Sequence, residues 1–339
     1  MEKLPPGKPR DQDIWGVFKN NWFNQFLGGF GSLFAAITGT VNDSYVRDLP
    51  IITDHTAQLS AQATAIEQMT ARGKAVVFSQ SGWYYPPKDL VTLRIVGIGA
   101  GAGGAAGQWN LVGTGRNGGG GGGGGGYQEI EITAAFLPKT GDDFDPIRVD
   151  MYLAGPGGVG SEAPGVGGGN IIFGANLSIP YATFQGGVGG VTASSVRGGG
   201  GIGGLGMVPG GKGGDGARLD GDSNNLPATN GTSSFASERF MGGGGAGGGG
   251  GRSNSTSGGF GGNGVGTAGG IGNQSGVSPH PAMSIGAGGG GGSSGESSNG
   301  GAGGFPGGGG GGGFGGTMGT ASAGGPGGQP KLYCYEEMN

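Results

Sequence analysis

Between residues 14 and 37 the apolar positions Ile14, Trp15, Phe18, Trp22, Phe26, Phe30, Leu33, Phe34 and Ile37 recur at steps of three and four, which predicts the apolar face of a helix. Gly28, Gly29 and Gly31 weaken it, so the pattern reads as two short helices sharing an aromatic face. Trp15, Phe18, Trp22, Phe26 and Phe30 have two readings: docking onto another protein, or insertion into a bilayer, because Lys19 is the only charge between Ile14 and Asn42. Asp54 is a suitable cap for a second helical stretch, residues 55–72, which lacks proline and glycine and ends at Gly73. There Ile52, Leu59 and Ile66 recur every seven residues, with Thr56, Ala63 and Thr70 four positions after each. That spacing fits a short coiled coil between copies of the chain, trimeric ahead of dimeric, or a single helix lying on a neighbouring domain.

Period-two alternation follows. Residues 75–78 form a short apolar run, 83–87 (Trp-Tyr-Tyr-Pro-Pro) read as a turn, and residues 90–98 place Val91, Leu93 and Ile95 opposite Leu90, Thr92 and Arg94. Residues 127–133 and 147–153 alternate likewise, the segment 170–184 ends a small sheet unit at Phe184, and 331–336 return as one last strand.

Glycine changes the picture most. Of 339 residues 97 are glycine, and only eight of them precede Gly97. Hydrophobic residues make up 33% and charged residues 12%, too few of either for a large apolar core or a charged disordered coil. Collagen requires glycine at every third position, and the runs 118–126 and 307–313 ignore that phase. A flexible linker needs far fewer residues and no Ile202, Leu205, Met207, Phe260 or Ile271 between the runs. The remaining possibilities are irregular β structure, disordered low complexity, and a bundle of polyglycine-II-like helices whose outward peptide groups bond rod to rod. With the last, the expected class is mixed: N-terminal helices with a short heptad helix, a small antiparallel β unit, and a glycine-rich bundle closed by a C-terminal strand. The corresponding segments are an extended arm (1–13), an aromatic helical docking segment (14–49), the heptad helix (50–74), strands with glycine-rich loops (75–198), the glycine-rich bundle (199–330) and the closing strand (331–339).

Charge and chemistry narrow the function. A net charge of −4 without basic clusters argues against nucleic acid as a partner. The polar start of the chain does not resemble a secretory signal, and the single Cys334 forms no internal disulfide. Gly99, Gly101 and Gly104 satisfy G-x-G-x-x-G, but glycine follows where a dinucleotide site needs a helix and an acid. Residues 206–212 nearly make a phosphate loop, with Gly213 in place of the hydroxyl residue that holds magnesium. His55 and His280 are the only histidines, and Asp142, Asp143, Asp145, Asp215, Asp220 and Asp222 read as loop acids. No enzyme, metal site or cofactor is expected.

The order of blocks does resemble a known family. An aromatic-proline turn and strand (78–107), glycines into Tyr-Gln-Glu-Ile-Glu-Ile (118–132), Phe-Leu-Pro-Lys-Thr-Gly (136–141), Gly-Gly-Asn-Ile-Ile-Phe-Gly (168–174) and a closing Gly-Gly-Gln-Pro-Lys-Leu-Tyr-Cys-Tyr-Glu (327–336) are similar to the glycine-rich domain of minor tail proteins of siphophages of mycobacteria and related actinobacteria. The resemblance covers residues 75–339; residues 153–156 depart from it and 223–239 have no counterpart. It implies a virion component of the tail tip or fibre, made in the host cytoplasm, with other tail-tip or baseplate proteins and the host envelope as partners. Its receptor contacts would be aromatics held among glycines, namely Trp109, Phe235, Phe240, Phe260, Phe305 and Phe314, or these would plug the ends of the bundle. A purely assembling role and a membrane-perturbing N-terminal segment are the rival functions.

Overall fold

The computed structural model describes residues 75–108, 117–192, 197–218, 226–234, 243–251, 258–264, 267–271, 274–279, 299–316 and 322–338. All lie in the second of two units, Thr64–Asn339. The expected helices of 14–37 and 55–72, with Trp15, Phe18, Trp22, Phe26, Phe30 and the Ile52, Leu59, Ile66 seam, fall outside these residues.

Among the described residues, ten strands build two four-stranded antiparallel sheets and a hairpin. In the first, β1 (Ala75–Phe78), β10 (Lys331–Met338), β3 (Leu90–Ile98) and β4 (Tyr127–Thr133) lie in that order. The second runs β2 (Gly82–Tyr84), β7 (Ile147–Met151), β8 (Ile171–Phe173) and β9 (Ala182–Phe184), and β5 (Lys139–Thr140) pairs with β6 (Asp143–Phe144). Alternation sets the inner faces: Leu93, Ile95, Leu332 and Cys334 of the first sheet join Ile147, Val149, Phe173 and Phe184 of the second in one core. β10, last in sequence, is central in space, with Tyr333 opposite Val77 on one side and Val96 on the other. The 83–87 block, expected as a turn, begins as strand β2. Trp83 pairs with Arg148, whose guanidinium lies 5.5 Å from the indole centroid.

The expected mixed class is corrected. The regular elements among the described residues are these strands and a single three-residue 3-10 turn, Ala134–Phe136, so the secondary structure is nearly all antiparallel β. Among the described residues the glycine region adds no helical bundle to it. Its segments are extended and donate to other segments far along the chain, so no helical element forms within any of them.

Those bonds follow a three-residue step. Along 99–108, Gly99, Ala102, Ala105 and Gln108 donate to carbonyls of 117–126; Ala100, Gly103 and Ala106 donate to 163–169; Gly101, Gly104 and Gly107 donate to 322–328, all at 2.8–3.1 Å. The carbonyls of the same segment accept from 155–158, 187–190 and 310–316, so six neighbours surround it. Segment 117–126 is enclosed in the same way by 99–108, 185–191, 198–204, 211–217, 244–250 and 307–313. Buried peptide groups are thereby satisfied without regular sheet or helix.

Close approach is what demands glycine here. A Cβ on Gly120, Gly121 or Gly122 would sit 1.9, 2.1 or 2.2 Å from the carbonyl oxygen of Gly199, Gly247 or Ala102, three different neighbours. The interior is not wholly free of side chains, however: Ala100, Ala102, Ala105, Ala106, Ala217 and Ala246 are completely buried.

The sandwich and the glycine array are continuous. β3 runs on into 99–108, 117–126 into β4, β7 into 155–158, 163–169 into β8, β9 into 185–191, and 322–328 into β10. Facing sheets stand about 10 Å apart, whereas hydrogen-bonded segments lie about 5 Å apart. Gly97 marks the convergence, because a Cβ there would meet the Phe184 ring at 2.6 Å.

Two outcomes are expected. Gly122→Ala will lower stability by about 1–3 kcal/mol and the melting temperature by several degrees. Gly199→Ala, whose Cβ would touch only the Val191 side chain at 3.8 Å, will melt within about 0.5 kcal/mol of the parent. Burial, and then the neighbouring Glu336 carboxylate, push the Tyr84 phenol well above its ordinary range; burial does the same for the Cys334 thiol. Both groups are held protonated in the fold, so the contribution of Cys334 is complete below pH about 8.5 and that of Tyr84 below pH about 10, and each is lost as pH rises further, when the unfolded chain ionises first. Denaturation midpoints will therefore fall above those pH values, and iodoacetamide will label Cys334 only on unfolding.

Candidate binding surfaces

Because successive segments reverse direction, the glycine array has one end joined to the sandwich and one far end where turns gather. At the far end Glu162 turns the chain with φ +60°, and its N–H donates to the Gly107 carbonyl at 3.3 Å. Gln108 Nε2 donates to the Glu162 carboxylate, and Asn117 Nδ2 donates to Gln108 Oε1 at 3.2 Å, tying the tips of the two enclosed segments together. On one flank Asp215 receives Arg197 at 2.8 Å and the Gly200 N–H at 3.0 Å, so its carboxylate serves as an internal clamp.

The G-x-G-x-x-G glycines, Asp143 and Asp215 have structural partners. The N–H groups of Gly99, Gly101 and Gly104 donate to carbonyls of Gly126, Gly328 and Gly325, which leaves none to cradle a phosphate. Asp143 pairs with Lys88. Among the described residues there is no group of three or more His, Cys, Asp or Glu side chains that could hold a metal ion, and no helix is long and apolar enough to cross a membrane. His55, His280, Asp220 and Asp222 lie outside the described residues.

Of the aromatic candidates, Phe260, Phe305 and Phe314 are described, and these three lie apart. Trp109, Phe235 and Phe240 lie outside the described residues. Phe314 is buried at 2% exposure inside the array. Phe305 is half-buried at the sandwich end, with Lys331 Nζ 5.0 Å from its ring centroid. Phe260 is half exposed on the outer segment 258–264, its N–H donating to Asn230 Oδ1.

A different surface emerges that aromatic positions did not signal. Segments 163–169, 185–191 and 198–204 lie side by side: Gly165 and Gly168 donate to Gly190 and Gly187, and Val188 and Val191 donate to Ile202 and Gly199. The middle one bonds to both enclosed segments, and the outer two to one each, which makes a single layer of three over a pair. Val166, Val188, Val191, Ile202 and Leu205 project from this layer, 52–63% exposed. The sequence signal is the Gly-Gly-aliphatic step at 188, 191, 202 and 205, visible once a three-residue period is known to matter.

No protein-family model matches this chain, and no curated protein matches it either.

Phe314→Ala will destabilise the protein by about 3–5 kcal/mol as a core truncation does, and Phe260→Ala by less than about 1 kcal/mol. Paired thermal melts measure the difference.

Proposed function

We propose that this chain is a structural virion protein of a phage tail tip or fibre that presents a stiff, glycine-rich body for recognition of the host cell. The reading rests on the family resemblance of residues 75–339. The observation that supports it most is the enclosure of segments 99–108 and 117–126 by six neighbours each, bonded through backbone alone. A body built that way does not depend on a charged surface or a large greasy interior, and it holds its far-end turns on a fixed scaffold, as a binding loop requires. Its partners would be neighbouring tail proteins, further copies of itself, and the cell envelope.

Antibodies raised against the chain will decorate the tail tip of virions that package it, and purified full-length chain will compete with those virions for adsorption to host cells. Decoration without competition would assign it to tail assembly alone. Absence from virions would remove the proposal altogether.

A further inference from the structure

On the second sheet, alternation turns Tyr84, Ile147 and Val149 into the core and leaves Trp83, Arg148 and Asp150 on the opposite face. Trp83 lies directly across from Arg148 in the β2–β7 register, and Ile172 of β8 lies across from Asp150. Two contacts hold the guanidinium. Its carbon is 5.5 Å from the centroid of the Trp83 ring, and its Nε donates to Asp150 Oδ1 at 2.7 Å. The fold uses only part of this arrangement. Among the described residues no hydrogen-bond partner reaches the Nη atoms of Arg148, Asp150 Oδ2 or Trp83 Nε1. The indole stays 44% exposed although the guanidinium lies over it, and the Arg148 and Asp150 side chains are 35% and 30% exposed. Just past the end of β7, Tyr152 adds an exposed phenol.

We propose that Trp83, Arg148 and Asp150 form a binding site for a neutral glycan. The outward donor fork and the carboxylate oxygen beside it belong to a pair whose charges cancel, so the ligand must accept and donate at neighbouring atoms without bringing net charge. Adjacent hydroxyls of a sugar ring do both, accepting from Arg148 Nη and donating to Asp150 Oδ2. The same ring carries a C–H face that lies on an indole, where a rigid aromatic gives a large contact area at little conformational cost. A phosphate or carboxylate would be attracted by Arg148 and repelled by Asp150 at the same spot. Because Trp83 and Asp150 already hold the guanidinium, little side-chain freedom remains to be lost on binding. Tyr152 stands four residues beyond Arg148, about 13 Å at the rise of a strand, which extends the site to suit an oligosaccharide. One aromatic platform and a few hydrogen bonds on an open face correspond to a Kd on the order of 1 mM. The site does not depend on the virion reading, since purified chain binds the sugar whether or not particles carry it.

Full-length chain, isotope-labelled at the tryptophan indole nitrogen, is titrated to about 20 mM with neutral trisaccharides of glucose, galactose, mannose and N-acetylglucosamine and followed by NMR. The Trp83 indole N–H resonance, assigned by its absence in Trp83→Phe, will shift saturably with at least one of these sugars. Asp150→Ala will weaken that binding by about tenfold or more. Arg148→Lys, which keeps the charge and loses the fork, will do the same and guards against a folding defect in the alanine variant. Phe260→Ala, away from the site, will bind as the parent does. No shift with any of the sugars overturns the proposal. An equal shift with inorganic phosphate or glucuronate also overturns it, because the pair is then an anion site, as does an equal shift with triglycine amide, which makes the face a peptide site. Binding that survives both Asp150→Ala and Arg148→Lys overturns it too, since the sugar then sits elsewhere.

Discussion

A buried peptide group needs a hydrogen-bond partner, and in this protein that requirement is met in three directions at once. A strand satisfies its peptide groups with two neighbours and a helix with none, so both leave faces for side chains to cover. Here residues 99–108 turn successive N–H groups toward three different segments and accept from three others. The spacing that results leaves no room for Cβ along 118–126, and glycine becomes a packing requirement there. The large conformational entropy that glycine loses on folding is offset by many backbone bonds, each contributing on the order of 1 kcal/mol net.

The β-sandwich supplies what such an array lacks. Extended glycine segments have little to set their register, since sliding one past another by three residues restores the same bonds. Strands β3, β4, β7, β8, β9 and β10 continue into or out of the array, and their side chains lock register through a conventional core of Leu93, Ile95, Ile147, Phe173 and Phe184. Phe314, Ala217 and Ala246 act as further markers inside the array, because each fits only where its neighbours leave space.

The same geometry separates function from scaffold. Inward peptide groups are committed to each other, so Gly99, Gly101 and Gly104 have no free donors for a phosphate, and what remains for recognition is the outward position of each three-residue step and the turns at the far end. On one flank the side chains of Thr229, Asn230, Thr232 and Ser233 accept hydrogen bonds from the N–H groups of Asp215, Phe260, Lys212 and Asn263, whereas Val166, Val188, Val191, Ile202 and Leu205 stand exposed on the three-segment layer.

Strands β3, β4, β7 and β10 were legible in the sequence because alternation reports a sheet with one buried face, and Leu93 and Ile95 in 90–98 already mark it. The abundance of glycine likewise indicated backbone in close contact. Which segments touch was not legible, because a glycine run carries no side chains to distinguish one partner from another; only tertiary structure joins Gly101 to Gly328 and Gly121 to Gly214. Aromatic residues among glycines were a poor guide to the surface for the same reason: Phe314 and Phe260 have similar sequence surroundings, and the number of neighbouring segments decides that one is buried and the other exposed. The sequence by itself determined the composition of the two kinds of chain and the inner faces of the sheets. Tertiary structure alone decided the order of the segments, and with it the side of the array that became aliphatic, since a three-residue step has no inside until its neighbours are in place.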